Sequence, residues 1–466
     1  MKPKHVVIVG GGISGLTTAF WLKQGGANVT ILERDHIPGG TMHTLREGGW
    51  LVEAGPNSAL ETTPVFKEMF AVLGIKDEHR YADPASNKRY ILRNGRLHQL
   101  PMSASLFFRS RLWSVPGKLR LLKEPFVGRA DREETVAEFV ERRLGREFLD
   151  YAINPFVAGV FAGNPEQLSV RTAFPKLYAL EGKYGGLVKG MIGGARERKK
   201  RAEVAKDRAQ MFSFASGMQV FPDSLARYLG MAVQCNCEVT RLMIRNGGAE
   251  GLPPFSVEYT LGGKSSVLDA DGLVMAVPAY AAASLLESHV PVLAAQMRAV
   301  YYPPVAEVFL GYRADQCAQP LDGFGYLIPA KERRQILGTI WSSSLFPGRA
   351  PEGHIGLTTF VGGSRQPDLV SLSEAKLVAL VRSELGALMG VRGEPAYAHV
   401  ERWEKAIPQY NLGHSKLHDA IDNLEATFPG LAVCSNYRGG IAVGDCVKNG
   451  KATAEKLLGL SQAAGH

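Results

Sequence analysis

His5-Val6-Val7-Ile8-Val9-Gly10-Gly11-Gly12-Ile13-Ser14-Gly15, followed by Val29-Thr30-Ile31-Leu32-Glu33, is the stretch that decides how this chain folds. The five residues from His5 form an apolar run of strand length. Gly10 to Gly15 follows at once and satisfies G-x-G-x-x-G. Ile13 to Gln24 has helix length and apolar side chains at helical spacing, and Gly25-Gly26 end it. A second strand at Val29–Leu32 closes on Glu33. Each part has a physical job with a dinucleotide. Gly10 allows the tight turn, Gly12 lets backbone approach a pyrophosphate, and Gly15 lets helix and strand pack closely. The helix N-terminus offers free N–H groups and a positive dipole to phosphates. The Glu33 carboxylate can accept hydrogen bonds from ribose hydroxyls. The order strand, glycine turn, helix, strand, acid separates this stretch from a bare glycine-rich turn.

The chain has 466 residues, 45% hydrophobic and 21% charged, with a net charge of +9. That is ordinary globular composition, enough for about two to three domains. The basic excess suits an anionic membrane surface or an acidic substrate, or is merely a basic surface; no nucleic-acid motif accompanies it. Lys2 and Lys4 ahead of the apolar run superficially resemble a secretory leader. The glycine turn accounts for that run better, and no small-residue cleavage site follows. No apolar run reaches the roughly 18 residues of a membrane-spanning helix. The five cysteines are odd in number and scattered, which fits free thiols in a reducing cytoplasm. No metal site is expected. Cys235 and Cys237 lack partners at zinc spacing, and His414 and His418 lack the glutamate of a zinc motif and read as a solvated helix face.

Residues 1–84 look like a nucleotide-binding α/β unit. After Glu33 come Pro38-Gly39-Gly40-Thr41 and Glu53-Ala54-Gly55-Pro56-Asn57-Ser58. A second glycine pair so soon after the acid suits a chain running close to a long cofactor, and favours flavin over nicotinamide. From about 92 to 208 helical patterning dominates. Thr135 to Leu144 is amphipathic, and Thr135 with Glu138 forms a capping-box pair. Leu106-Phe107-Phe108-Arg109-Ser110-Arg111-Leu112-Trp113 and the cationic run Arg196–Arg201 suit an anionic bilayer surface, or else a buried aromatic cluster plus a solvated charged helix. The α/β texture returns at Phe212, with a strand from Cys237, a hairpin about Gly262-Gly263 and a strand at Gly272–Val277. Strands at Val305–Tyr312 and Ile355–Val361 and a helix at Ser373–Met389 mark a second α/β unit. A strand at Leu431–Cys434 and Gly444-Asp445 then precede a helix from about Cys446 to Leu458, with Asp445 as helix cap, flavin contact or both.

These segments together resemble the flavin-dependent protoporphyrinogen oxidases of haem biosynthesis, over nearly the whole chain. The resemblance rests on Gly10–Leu16, Glu53–Ser58, Asn87–Ile91, Leu119–Pro125, Asn154–Ser169, Gly323–Gly325, Phe346-Pro347, Ile407-Pro408-Gln409-Tyr410-Asn411-Leu412-Gly413-His414 and Gly440–Cys446. The first is shared with many flavin amine oxidases; the Pro-Gln-Tyr-Asn and Asp-Cys segments are more specific. It implies an α/β (α+β) fold with a discontinuous Rossmann-like FAD-binding domain (1–84, 209–282 and 425–466). A mixed-sheet substrate domain (85–91 and 283–424) and a helical membrane-associated insertion (92–208) complete it. FAD is the implied cofactor and a tetrapyrrole the substrate, losing six electrons to give an aromatic porphyrin. Oxygen is the electron acceptor. The implied location is cytoplasmic, peripherally attached to the inner face of the cell membrane, and a homodimer is among the assemblies allowed.

By position, the resemblance implies FAD contacts from Gly10, Gly11, Gly12, Ile13, Ser14, Gly15, Glu33, Arg34, Gly40 and Thr41. It adds Gly55, Pro56, Asn57, Ser58, Val239, Trp403, Val443, Gly444, Asp445 and Val447. Arg89 matches an arginine that pairs with a substrate propionate, Gly159 a glycine whose carbonyl faces pyrrole N–H groups, and Phe346 a phenylalanine that stacks on a pyrrole ring. Without the resemblance, Arg89 reads as a surface arginine and Phe346 as core. Two departures stand out. Gly444 replaces an Asn common in relatives, and Thr41 replaces the Arg of wider flavoproteins. The expected chemistry is positioning work in an apolar cleft with one or two cations and no triad. No catalytic base is named; proton loss to water suffices, which implies a flat rate–pH profile. Rival readings are coproporphyrinogen III oxidation, a flavin amine oxidase or carotenoid desaturase, and a non-catalytic flavin-binding or membrane scaffold.

Overall fold

The computed structural model describes residues 4–193, 209–245 and 252–460. The cationic run Arg196–Arg201 lies outside them. The expected α/β class holds. At the centre of one parallel sheet is the strand His5–Val9, flanked by Asn28–Leu32 and Gly272–Met275, with Val233–Gln234 and Leu431–Val433 at the edges. Val6 to Val9 are buried on both faces, as a parallel strand between two helical layers requires. One layer is the helix Ile13–Gln24 with the final helix, Val443–Leu457. The final helix begins three residues before the expected Cys446. The Asp445 carboxylate accepts the Ala442 N–H (3.3 Å), so Asp445 sits inside the first turn rather than ahead of it. The unit is assembled from pieces more than 400 residues apart: strand Leu431–Val433 pairs with Gly272–Met275, which pairs with His5–Val9.

The second sheet has seven strands in the spatial order Tyr397–Trp403, Val305–Arg313, His354–Gly362, Gly338–Ile340, Gly323–Leu327, Lys88–Arg93 and Arg96–Gln99. Every pairing is antiparallel except Gly323–Leu327 with Lys88–Arg93. The expected boundary at residue 92 falls inside the hairpin 88–99, and helices begin at Ala104.

The helix Val136–Arg143 starts as its sequence foretells. Thr135 Oγ1 accepts the Glu138 N–H (3.1 Å), and the Glu138 carboxylate accepts the Thr135 N–H (2.9 Å). Arg143, at the end of this helix, is fully buried. Its guanidinium donates to Glu124 (2.8 Å) and Glu181 (2.7 Å), which makes burial of the charge tolerable. Between Met102 and Phe126, Leu112 and Trp113 are buried, but several other apolar side chains point outward. Phe108 is 71% exposed, Leu122 69% and Phe126 89%, with Lys118, Arg120 and Lys123 among them. Among the described residues no helix is long and apolar enough to cross a membrane.

Candidate active site

The glycine turn sits at the carboxyl end of the central strand. Gly10 donates to Leu32 O (2.9 Å) and has φ +103°, where a Cβ would come within 2.9 Å of Ala276 O. A Cβ on Gly15 would lie 2.1 Å from Gly10 O, so helix and turn touch only because both residues are glycine. Gly12 is different. A Cβ there would meet only Gly40 Cα, at 3.9 Å. Gly39 N–H donates to Gly11 O (2.9 Å), which brings the second glycine pair against the first. Gly12 and Gly40 therefore face each other across a space bounded by backbone. The helix from Ile13 has no side-chain cap, so its first N–H groups point at that space.

Glu33 holds this arrangement from the side. Its carboxylate accepts the Gly11 N–H (2.5 Å) and the Asp35 N–H (2.8 Å), and its backbone joins Gln234 and Cys237. Val239 lies two residues beyond Cys237 on the strand Cys237–Ile244. Arg34 points to solvent, 3.6 Å from Asp35. Thr41 is exposed, and its carbonyl lies against Gly55, where a Cβ would come within 1.9 Å. Pro56, Asn57 and Ser58 are half-buried, with Asn57 Nδ2 donating to Gly55 O (3.1 Å).

The C-terminal piece meets the N-terminal one. The Ser14 hydroxyl is hydrogen-bonded to the Cys446 thiol, whose buried position pushes it up to about 12. Gly444 lies where a Cβ would be 3.0 Å from Thr62 Oγ1, and Val443 beside it is buried. Val447 is fully buried in the core of the nucleotide unit, so its side chain packs rather than faces the cradle. The cradle thus has backbone on two sides, an uncapped helix end and a carboxylate. That donor set fits the diphosphate and ribose of a flavin dinucleotide.

The expected substrate residues lie at the second sheet. Arg89 is in register with Gly325, and its guanidinium stands 5.8 Å from the Phe324 ring. It has no carboxylate partner among the described residues, whereas its neighbours Lys88 and Tyr90 both bind Asp322. Gly159, on the helix Asn154–Phe161, abuts Leu327, two residues along the strand from Gly325. Phe346 follows a short helix tied to the Arg89 segment by Ser86 Oγ donating to Ser344 O (2.6 Å). Phe346 is buried, 5.4 Å from the Arg349 guanidinium, and it lines a cavity of about 10 Å³, room for one water at most, with Glu53, Asn57 and Arg349. The space beside Phe346 is smaller than the ~300–1,000 Å³ typical of ligand pockets and is partly polar. The Glu53–Arg349 ion pair (2.7 Å) forms its wall, with burial raising Glu53 and lowering Arg349. A cleft of about 460 Å³ elsewhere is flanked by Arg93, Arg146 and Lys331, which are paired with Glu147 and Asp150.

Three features escaped the sequence reading. Arg365 is a half-buried cation with no carboxylate partner among the described residues; it donates to Ile328 O (2.9 Å) and Asn154 Oδ1 (3.1 Å), and loss of solvent pulls it down to about 10. Glu307 is a buried acid in the middle of the strand Val305–Arg313. His414 and His418, expected on a solvated face, turn inward: Nε2 of each lies against Tyr437 O, at 2.8 and 3.3 Å. Helical spacing placed them on one face, but the cover comes from a loop that spacing does not reveal. Tyr410 stacks on His414 at 4.3 Å and donates to Asn436 O (2.7 Å), and Gln409 donates to Phe161 O (2.7 Å). The Pro408–Asn411 motif is therefore a joint between the helical region and the C-terminal flavin piece. Trp403 ends the strand in register with Val305, and its buried Nε1 has no hydrogen-bond partner among the described residues.

A family model for flavin containing amine oxidoreductases matches residues 13–458. The chain belongs to that family. It is 32% identical to protoporphyrinogen oxidase 2, chloroplastic/mitochondrial, of Arabidopsis thaliana, an alignment covering 98% of this chain and 94% of the relative. It is 29% identical to coproporphyrinogen III oxidase of Bacillus subtilis, covering 98% of each. A solved structure from an Exiguobacterium species, provisionally named a protoporphyrinogen oxidase, superposes with a TM-score of 0.80 at 23% identity. It covers 98% of this chain and 99% of its own, a likeness of fold. The chain is an FAD-dependent oxidoreductase of the protoporphyrinogen/coproporphyrinogen oxidase group.

Proposed function

We propose that this chain oxidises protoporphyrinogen IX to protoporphyrin IX, with coproporphyrinogen III as the alternative substrate. The observation that carries the reading is the Arg89 guanidinium, without a carboxylate partner among the described residues, on a strand of the sheet against which the Gly159 helix packs. Relatives named protoporphyrinogen oxidase at 32–35% identity support it.

FAD supplies a two-electron acceptor for a carbon–hydrogen bond. The chain's own work is binding and orientation. Gly12 and Gly40 admit the pyrophosphate, the N–H groups of the Ile13 helix neutralise it, and Glu33 accepts from ribose. Arg34, Thr41, Gly55–Ser58, Val239, Trp403, Val443, Gly444 and Asp445 complete the cofactor surface. Val447 supports that surface from within the core. Arg89 grips a propionate, as a guanidinium can with two parallel bonds. The Gly159 carbonyl accepts from pyrrole N–H groups, and Phe346 swings from its packed position to stack on a ring. Burying the macrocycle beside the cofactor removes water and fixes one methylene bridge toward it.

Oxygen is the electron acceptor we assign. The division into FAD, substrate and helical units belongs to the same reading. So does a cytoplasmic location, with Phe108, Leu122 and Phe126 dipping into the inner face of the cell membrane and Lys118, Arg120 and Lys123 meeting anionic headgroups. Sedimentation with anionic vesicles, lost in Phe126→Asp, tests that contact. A homodimer is the assembly to look for by light scattering. Porphyrin fluorescence after separate addition of the two porphyrinogens tests the function. Faster turnover of protoporphyrinogen IX supports the reading; faster turnover of coproporphyrinogen III replaces it with the alternative.

A further inference from the structure

Glu307 lies at the seam between the second sheet and the cofactor segment. Its strand places it between Glu401 on one neighbour and Phe360 on the other. The residue is 8% exposed; Asn57 hydrogen-bonds its carboxyl, and Oε2 has no hydrogen-bond partner among the described residues. A buried carboxyl without an ion pair costs stability, and packing does not call for an acid here, since Val305 and Phe309 on the same face are apolar. Facing it are Asn57 from the cofactor segment and Glu53 from the strand Trp50–Glu53, itself paired with Arg349. From the strand Tyr397–Trp403 come Glu401 and, 3.6 Å from the Glu401 carboxylate, His399. From His354–Gly362 comes only the uncharged Phe360. Glu53 and Asn57 also line the cavity that Phe346 borders. Glu307 is thus one residue removed from that cavity, diagonal across the strands from Trp403.

We propose that Glu307 accepts the proton released at each oxidation step, reached through the cavity lined by Asn57 and Glu53. This rests on the porphyrinogen reading above. In each step a methylene C–H bond breaks and its hydrogen leaves with the bonding electrons, as hydride; bound FAD would supply the two-electron acceptor, and oxygen would reoxidise it between steps. In two of the three steps the proton that forms the O–H of Glu307 comes from the N–H of the adjoining pyrrole, whose bonding pair forms the new C=N bond. In the third it comes from the last methylene bridge, whose C–H pair enters the ring double bonds, so four methylene hydrogens and two N–H protons are lost and the product keeps two N–H groups. Water takes the Glu307 proton before the next step. Burial first, then Glu401 and Glu53, holds the Glu307 carboxyl well above the usual carboxylate range. That moves it toward the operating pH, where a general base is most effective.

The test compares holoenzyme with Glu307→Gln and Glu307→Asp. Initial rates on protoporphyrinogen IX are read from pH 6 to 9.5, and the visible spectrum of the bound flavin is titrated over the same range. The wild type should gain rate with rising pH through one ionisation. Glu307→Gln should be slower by about 100-fold in kcat, with a flat profile and KM changed little. Glu307→Asp should regain the pH dependence. The flavin bands of the wild type should shift through the same ionisation, and those of Glu307→Gln should not. Wild-type profiles and spectra in Glu307→Gln would overturn the proposal. So would a folded Glu307→Gln protein that has simply lost flavin, which would make the residue structural. Should the wild type oxidise no porphyrinogen, the function reading fails, and the spectral titration alone decides whether Glu307 ionises beside the cofactor.

Discussion

Gly450 lies so close to Thr17 that a Cβ on the glycine would come within 2.9 Å of Thr17 Cβ. This contact locks the last helix onto the first and brings the C-terminal piece to the glycine turn. Gly450→Val should overpack the joint and cost about 1–3 kcal/mol. Thermal unfolding and the flavin-to-protein ratio should both fall. An unchanged melting temperature would mean that the two helices part easily.

Gly12→Val separates fold from cofactor. A Cβ at Gly12 meets nothing nearer than 3.9 Å, so the chain should fold with its usual melting temperature in the apo form. The added isopropyl group fills the space opposite Gly40, so purified protein should be colourless. Gly15→Ala should instead damage the fold itself, because its Cβ would lie 2.1 Å from Gly10 O. Circular dichroism and absorbance distinguish the two outcomes.

Much of this was legible from the first residues. The strand, turn, helix and Glu33 fall where their spacing puts them, because each is a local pattern that one sheet and one helix satisfy. The site at the second sheet was less legible. Glu307 left a signal, a lone acid inside Val305-Ala306-Glu307-Val308-Phe309-Leu310, but its meaning depends on Asn57 and Glu53, some 250 residues away in sequence. The inward turn of His414 depends on Tyr437, and the narrow cavity beside Phe346 on Arg349 pairing with Glu53. Each is decided by a partner from another segment, which no local pattern encodes.

Arg89→Ala should raise KM for protoporphyrinogen IX by about tenfold or more, the worth of one charged hydrogen-bonded pair, and leave kcat nearly unchanged. Because Arg89 has no carboxylate partner among the described residues, its removal strands no buried acid, and the melting temperature should hold. Steady-state kinetics with unchanged KM would remove Arg89 from the substrate site.

His414 should make the protein acid-sensitive. Burial holds its imidazole down at about 4 against an ordinary 6.5, with the Tyr437 carbonyl opposing and His418 adding to the effect. The unfolded chain therefore binds the proton more readily than the folded one between those values. Stability is fully present above pH 6.5 and is lost as pH falls toward 4, by about 3 kcal/mol. Urea unfolding from pH 7.5 to 4 should show this loss, and His414→Gln should flatten the slope. An equal slope in the variant would mean that the imidazole is protonated in the folded state.

The most direct measurement of the central claim is the visible absorption spectrum of the pure protein under anaerobic conditions, before and after addition of protoporphyrinogen IX. The account predicts flavin bands that bleach as porphyrin fluorescence rises, and that return on admitting oxygen. A colourless protein, or a yellow one whose bands are untouched by either porphyrinogen, would contradict it.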